Sequence, residues 1–110
     1  MNQTLIKDAK IEWTDLGNGL HRKIMAYNSD MMMVKVAFTT GGIGAIHSHI
    51  HTQASYIESG VFKICIGEDV SVLHAGDAYF VPTGILHGAE CLEAGILIDV
   101  FNPLREDFIN

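Results

Sequence analysis

Short apolar runs that alternate with polar residues constrain the fold of this chain more than any other feature. In "MVKVAFT", Val34, Val36 and Phe38 fall on one face of a strand and Lys35 falls on the other, and "VFKICIG" at 61–67 repeats the pattern. Turn-forming residues separate these runs at short intervals: "GNG" at 17–19, "NSD" at 28–30, "GG" at 41–42, "GED" at 67–69, "AGD" at 75–77 and "PTG" at 82–84. Many short alternating strands joined by tight turns predict an all-β sandwich or barrel.

Length and charge narrow the class of protein further. A chain of 110 residues has room for one domain, spanning 1–110, and its net charge of −6 argues against nucleic acid and anionic membranes as partners. The N-terminal "MNQTLIKDAKIEW" lacks the apolar centre of a signal peptide, and no apolar run approaches the roughly 18 residues of a membrane span. Cys65 and Cys91 form no CxxC pair, so we expect two reduced cysteines and a cytoplasmic protein.

The segment "GILIDVF" at 95–101 is apolar on both of its faces. Its central residues divide between the two sides of a strand: Ile96, Ile98 and Val100 on one, and Leu97, Asp99 and Phe101 on the other. A strand of this kind is covered on both sides. In a small barrel one side faces the interior, and the other side meets a second layer or a second subunit. We therefore expect a homodimer.

The C-terminal tail, "NPLREDFIN" at 102–110, is the segment with a helical pattern. Pro103 suits the first turn of a helix, and the acidic residues Glu106 and Asp107 follow early. A short helical tail after the last strand is therefore expected.

A row of histidines in "HSHIHTQ", at 47–53, points to metal binding. Alternation along a strand places His47, His49, His51 and Gln53 on the same side. Neutral imidazole is a good ligand for divalent first-row metals and an unusual choice for filling a strand. The row predicts half of a metal site.

A partner for this row occurs in "GDAYFVPTGILH", at 76–87. Gly76, Pro82 and Gly84 predict sharp turns on both sides of a short strand, and His87 follows at the start of the next strand. A barrel would bring that strand beside the strand at 47–53. His87 is therefore a candidate ligand of the same ion.

Together these motifs resemble those of the cupin superfamily. The first cupin motif, G-x5-H-x-H-x3-E-x6-G, aligns with 41–60 and the second, G-x5-P-x-G-x2-H-x3-N, with 76–91, where Cys91 replaces the final Asn. The matching positions are Gly41, His47, His49, Gln53 and Gly60, followed by Gly76, Pro82, Gly84 and His87. The resemblance implies a single cupin domain: a double-stranded β-helix, or jelly-roll barrel.

The same resemblance implies one divalent transition metal, of which Ni, Zn, Fe, Mn and Co all remain open, bound by His47, His49, Gln53 and His87. Gln53 stands where most cupins have Glu. Because an amide carries no charge, the metal would keep its full double positive charge, which favours Lewis-acid chemistry over oxygen activation. His51 is not a motif position. We expect it at a strand end near solvent, with support of the ligands or of substrate as the alternative.

A closer resemblance extends over most of the chain. "DLGNGLHRKIMAYN" at 15–28, the histidine region at 41–53 and "LIDVFNPLREDF" at 97–108 are similar to the KdgF family of pectin-degradation proteins. Members of that family open the ring of 4,5-unsaturated monouronates derived from pectin or alginate and give the linear 5-keto-4-deoxyuronate. The resemblance implies Asp99 and Arg105 as catalytic residues, and Phe101 and Arg105 as substrate-binding residues.

The three residues also suit this chemistry in their own right. Asp99, on an otherwise apolar face, is a candidate proton shuttle, because burial raises the pKa of a carboxyl group. Arg105 can hold a carboxylate through its guanidinium fork, and Phe101 can form an apolar wall beside a sugar. The alternatives are an Asp99 satisfied by backbone donors, an Arg105 paired with Glu106 or Asp107, and a Phe101 that only packs in the core.

Two other functions are compatible with these residues. One is a different cupin enzyme, such as a metal-dependent dioxygenase or a sugar isomerase. The other is a cupin that binds a small molecule without catalysis. Sensor cupins usually accompany a DNA-binding unit, for which an acidic chain of 110 residues has no room. A ring-opening enzyme acting on a small anionic sugar is the function that the sequence favours.

Overall fold

The computed structural model describes residues 4–109, and these residues form an antiparallel β structure. Within that range the strands are β1 (Thr14–Gly17), β2 (Leu20–Tyr27), β3 (Met32–Phe38), β4 (Ile43–His47), β5 (Thr52–Ile66), β6 (Asp69–His74), β7 (Ala78–Val81) and β8 (His87–Asn102). Short 3₁₀ helices, Asp8–Lys10 and Glu106–Phe108, lie before β1 and after β8. No helix in residues 4–109 has the length and apolar character needed to cross a membrane. The prediction of an all-β jelly roll is confirmed.

The two longest strands form the spine of the fold. β5 and β8 pair from Thr52 opposite Asn102 to Ile66 opposite His87. The C-terminal half of β8 also pairs with β3, which continues through β2 to β1, while its N-terminal half pairs with β4. β7 and β6 pair with the first and second halves of β5. Each spine strand therefore pairs with different neighbours along its two halves.

Two glycines allow the spine to bend where the sheets separate. Gly60 has a positive φ of 85°, and a Cβ there would lie 2.6 Å from the carbonyl oxygen of Glu93. A Cβ on the facing Gly95 would collide with the backbone of Ser59. The pairing between β5 and β8 is irregular between Ile57 and Phe62 at this bend. Gly60, the last residue of the first motif, is thus required by close backbone approach.

The core lies on the inner face of the sheets and follows the alternation seen in the sequence. Phe38 and Phe62 meet edge to face with ring centroids 5.1 Å apart, and Ile57 and Leu97 pack in the same cluster. A second cluster surrounds Phe101 at the C-terminal end of β8. Each fully buried side chain of this size stabilises the fold by roughly 1.5–3 kcal/mol.

The tail is less helical than the sequence predicted. β8 continues to Asn102, and only the 3₁₀ turn Glu106–Phe108 follows, so Pro103 lies outside any helix. The backbone is extended at Arg105. Tertiary packing explains the difference, because Leu104 and Phe108 both pack against the cluster around Phe101. The last residue of the predicted tail, Asn110, lies outside the described residues.

Candidate metal centre

The structure brings the predicted metal ligands together from three strands and one connection. His47 ends β4, His49 lies in the connection, Gln53 is the second residue of β5, and His87 begins β8 directly opposite His47. The prediction that 47–53 form one continuous strand is wrong, because the strand stops after His47 and pairing resumes at 52. The predicted position of His87 is confirmed.

This break in the strand is what allows the histidines to converge. On a straight strand, side chains two residues apart are separated by about 6.6 Å and point in parallel. Here the ring centroid of His47 lies 5.5 Å from that of His49 and 4.4 Å from that of His87. The centroids of His49 and His87 are 4.8 Å apart. The nitrogen atoms available as ligands all lie within 4.8 Å of one another.

Backbone contacts fix which nitrogen of each imidazole faces the centre. Each Nδ1 lies within hydrogen-bond distance of a carbonyl oxygen: His47 on Ala45 at 2.7 Å, His49 on His51 at 3.0 Å and His87 on Ile85 at 2.9 Å. A carbonyl only accepts, so each Nδ1 donates and each neutral ring keeps its lone pair on Nε2. The Nε2 atom of His87 is buried without a hydrogen-bond partner in the described structure. Converging lone pairs and an orphaned nitrogen fit a bound metal ion.

Gln53 lies at the same centre. Its Oε1 is 3.0 Å from Nε2 of His49, and both atoms carry lone pairs that face each other. Both atoms are of kinds that bind divalent metals, so the pair would hold one ion between them. Ser55 fixes the orientation of the amide, because Nε2 of Gln53 donates a hydrogen bond to Oγ of Ser55 at 2.9 Å. Its oxygen is therefore presented to the histidines.

Burial favours the neutral, metal-binding form of two of the imidazoles, those of His49 and His87. Removal from water is the main cause that lowers the pKa of His49 and of His87, and it is opposed by the oxygens of Gln53 and of the Ile85 carbonyl, which favour the protonated rings. Both rings therefore stay neutral at a lower pH than a free histidine. Neutral imidazoles bind a metal without first losing a proton.

Asp99 lies beside this centre on the inward face of β8. Oγ of Ser55 donates to Oδ1 of Asp99 at 2.6 Å, so the carboxyl group is joined through Ser55 to Gln53. Burial raises the pKa of Asp99 to about 6, against the opposing effects of the Ser55 hydrogen bond and the charge of Arg105. A carboxyl group with this pKa exchanges protons readily near neutral pH.

This raised pKa predicts a pH-dependent stability. The pKa of Asp99 is about 6 in the folded chain against an ordinary 3.8, so the folded state favours the protonated acid. The contribution of Asp99 to folding stability is fully present below its ordinary pKa of 3.8 and is lost as the pH rises through about 6. Relative to Asp99→Asn, the wild-type free energy of unfolding should fall by about 2 kcal/mol between about pH 4.5 and about pH 7.5.

Urea unfolding of both proteins at each pH, with chelator present, measures this difference. The comparison cancels the titration of groups that both proteins share, and asparagine retains an oxygen for Ser55. A constant difference across the pH range would show that Asp99 is not held in a protonated state by burial.

Phe101 and Arg105 line the same cavity as His47 and His87, which has a volume of about 210 Å³. The ring of Phe101 meets that of His49 edge to face at 5.8 Å, and Cζ of Arg105 lies 5.2 Å from the Phe101 ring centroid. Nε and Nη2 of Arg105 also donate to the two carboxylate oxygens of Asp107 at 3.1 and 2.9 Å. The pairing with Asp107 that the sequence left open is therefore present, and the guanidinium still borders the cavity.

His51 does not lie near solvent as expected. It is half-buried, and its Nε2 hydrogen-bonds the carbonyl oxygen of Leu104 at 3.0 Å. The bend before β5 turns the ring towards the tail instead of outwards, where it lies against Phe101 with centroids 6.4 Å apart. His51 thus joins the metal-ligand segment to the segment that carries Arg105.

Three residues of the site were missed by reasoning from the sequence: Tyr79 and Arg22, which line the cavity, and Ser55, which hydrogen-bonds Asp99. Strand parity would have placed Ser55 on the side of Gln53, and Arg22 between the inward-facing Leu20 and Ile24. Burial, together with the nearby charge of Asp99, raises the pKa of Tyr79, so its phenol remains protonated.

An antiparallel jelly roll with three histidines converging on one point defines a metal-binding cupin barrel as the class of this structure. The comparisons with known proteins agree. The family model described as "Cupin domain" matches residues 34–101. The pectin degradation protein KdgF of Dickeya dadantii (strain 3937) is 42% identical over 104 residues, covering 93% of this chain and 94% of that protein. The chain therefore belongs to the cupin family and, within it, to the KdgF proteins.

Solved structures show the same relationship. The structure of KdgF from Halomonas sp. superimposes with a TM-score of 0.93 at 34% identity, covering 96% of this chain and 98% of that one. An RmlC-like cupin from Shewanella frigidimarina NCIMB 400 also gives a TM-score of 0.93, at 41% identity and with 97% of each chain covered. The similarity thus extends beyond the cupin motifs to β1, β2 and the tail.

Proposed function

We propose that this protein is a metal-dependent enzyme that opens the ring of 4,5-unsaturated monouronates and gives 5-keto-4-deoxyuronates. The observation that carries the proposal is the convergence of three imidazoles on one point, two of which line the same small cavity as the carboxyl group of Asp99. A cavity of about 210 Å³ suits a single sugar unit better than an oligosaccharide. Pockets for larger ligands enclose roughly 300–1,000 Å³.

The reaction is an isomerisation that needs no oxidant. The substrate carries a carboxylate, a ring enol ether and an anomeric hydroxyl. The bond between C1 and the ring oxygen breaks as the anomeric hydroxyl loses its proton, which leaves an aldehyde and an enolate. The enolate then gains one proton at C4, giving the ketone. The chain must therefore move protons and stabilise developing negative charge on oxygen.

Asp99 has the properties of the proton shuttle. As a carboxylate it accepts the proton of the anomeric hydroxyl, and as the resulting acid it supplies a proton to C4. A pKa of about 6 suits both directions of transfer near neutral pH. Ser55 holds Oδ1 at 2.6 Å and leaves the second carboxylate oxygen for the substrate.

His47, His49, His87 and Gln53 would hold the metal. When bound, a divalent ion supplies Lewis-acid stabilisation of an oxyanion. The four side chains are neutral and leave coordination positions open for oxygen atoms of the substrate. Phe101 would form the apolar wall of the sugar site, and Arg105 would provide positive charge at its rim.

The proposed function is tested with purified protein and unsaturated galacturonate. We expect loss of the ultraviolet absorbance of the conjugated enol ether, with the linear keto product observed by NMR and no oxygen consumed. Chelator should abolish the reaction, and added metal should restore it. Oxygen consumption would instead identify a dioxygenase, and binding without turnover would identify a binding protein.

We also propose that two copies of the chain associate through the outer face of β8. Ile98 and Val100 line an apolar groove there, together with Met33, Tyr56 and Phe80. These last three side chains are exposed by 40%, 48% and 57%. A contiguous apolar surface of this kind on a small protein is typical of an interface.

The free cysteines, Cys65 and Cys91, support the reducing cytoplasmic setting that we propose for the enzyme.

Phe80→Glu should convert the dimer to a monomer, because it places a charge within this apolar surface. Val70→Glu is the matched control, because Val70 is also 57% exposed but lies on β6 outside the groove. Sedimentation velocity measures the mass of each protein, and circular dichroism checks the fold. A monomeric wild type, or a dimer that survives Phe80→Glu, would contradict the assignment of this face.

A further inference from the structure

We propose that Arg22 binds the carboxylate of the uronate substrate. The inference rests on the proposed function and adds a residue that was assigned no role above. The sequence contains two arginines, Arg22 and Arg105, and both line the cavity that contains the histidine cluster. Every guanidinium group of the chain is therefore at one site.

The placement of Arg22 is unusual for a charged residue. It lies on β2 opposite Val36, between Leu20 and Ile24, which both pack against the core. Strand alternation therefore directs a guanidinium into the barrel interior, where apolar residues are otherwise found. A buried-facing charge of this kind carries a desolvation cost and is typical of a binding site.

The two guanidinium groups differ in what they already bind. Nε and Nη2 of Arg105 are engaged by both oxygens of Asp107, so one complete edge of its fork is occupied. Within residues 4–109, the Arg22 guanidinium takes part in none of the ion pairs, and its defined contact is with the ring of Phe108, whose centroid lies 4.0 Å from Cζ. Arg22 thus has its donors free to bind a carboxylate through two parallel hydrogen bonds.

Phe108 explains how Arg22 is held in position. Cζ of Arg105 lies 4.4 Å from the centroid of the same ring, so one aromatic side chain contacts both guanidinium groups. Contact with an aromatic ring restricts a long side chain without using its hydrogen-bond donors.

The test measures binding of saturated galacturonate by calorimetry and steady-state kinetics with unsaturated galacturonate. Arg22→Gln should weaken galacturonate binding and raise KM by roughly 10- to 100-fold, because it removes a charged hydrogen-bond donor. The value of kcat should change little, since the carboxylate is held equally before and during the reaction. Arg22→Lys should recover part of the affinity.

Lys63→Gln is the matched control, because it removes one positive charge from the exposed outer face of β5. It should leave binding and KM unchanged. Metal content and thermal stability establish that Arg22→Gln is folded. An Arg22→Gln protein that binds galacturonate within about twofold of wild type would overturn the inference, as would a wild type that does not bind it. Wild type that binds galacturonate through Arg22 but does not open the unsaturated sugar would overturn the proposed function alone.

Discussion

Asp99→Asn should lower kcat for unsaturated galacturonate by roughly 100- to 10,000-fold while the protein stays folded and metal-bound. The variant keeps the shape of the side chain and an oxygen for the hydrogen bond from Ser55, which lies 2.6 Å from Oδ1 in the native structure. It removes only the ability to take up and release a proton. Stopped-flow absorbance measures the rate, and metal analysis and circular dichroism confirm the intact centre.

Asp69→Asn serves as the control, because Asp69 is an exposed carboxylate at the start of β6, outside the cavity. Its turnover should match wild type. Retention of wild-type turnover by Asp99→Asn would exclude Asp99 as the shuttle and would direct attention to Tyr79, which lines the same cavity.

His49→Ala should weaken metal binding by more than the roughly 10- to 100-fold that loss of an outer hydrogen-bond partner costs. The substitution removes one of three converging nitrogens and also the neighbour of the Gln53 oxygen, 3.0 Å away. Turnover should fall to the level of chelated wild type. Equilibrium dialysis followed by elemental analysis gives the metal content per chain.

His74→Ala is the appropriate comparison, since His74 is an exposed histidine at the end of β6 and is not part of the cluster. Its metal content should be unchanged. A fully metal-loaded His49→Ala protein would show that the ion is bound elsewhere or by fewer ligands.

The sequence predicted the strands and the inner face well because alternation is a local property. Val34, Phe38 and Leu97 are buried as their strand parity requires. The motif glycine Gly60 also has a physical origin, since a Cβ there would meet the backbone of the facing strand. Local pattern and packing agree in these parts of the chain.

The details of the site depend on contacts between residues distant in sequence, which a local pattern does not contain. The strand at 47–53 was expected to be continuous, whereas a break after His47 turns His49 towards His87. The tail was expected to be helical, but Phe108 packs against Phe101 instead. Tertiary contacts outweighed local propensity in both places.

Residues of ordinary polarity were also difficult to assign from the sequence. Ser55 resembles any other strand serine in the sequence, and only the structure shows that its hydroxyl donates a hydrogen bond to Asp99, 44 residues away. Arg22 follows a turn and sits among other polar residues in the sequence, so only its parity with Leu20 separates it from a surface arginine. The site therefore contains polar and charged residues, such as Ser55 and Arg22, that the cupin motifs alone do not predict.

Titration of chelated protein with Ni²⁺ or Zn²⁺, with turnover of unsaturated galacturonate followed at each addition, tests most directly whether the histidine cluster holds a catalytic ion. Turnover should rise in proportion to added metal and stop rising at one ion per chain, because the three histidines form one centre. Full turnover in metal-free protein, or a rise that continues well past one equivalent, would contradict this account.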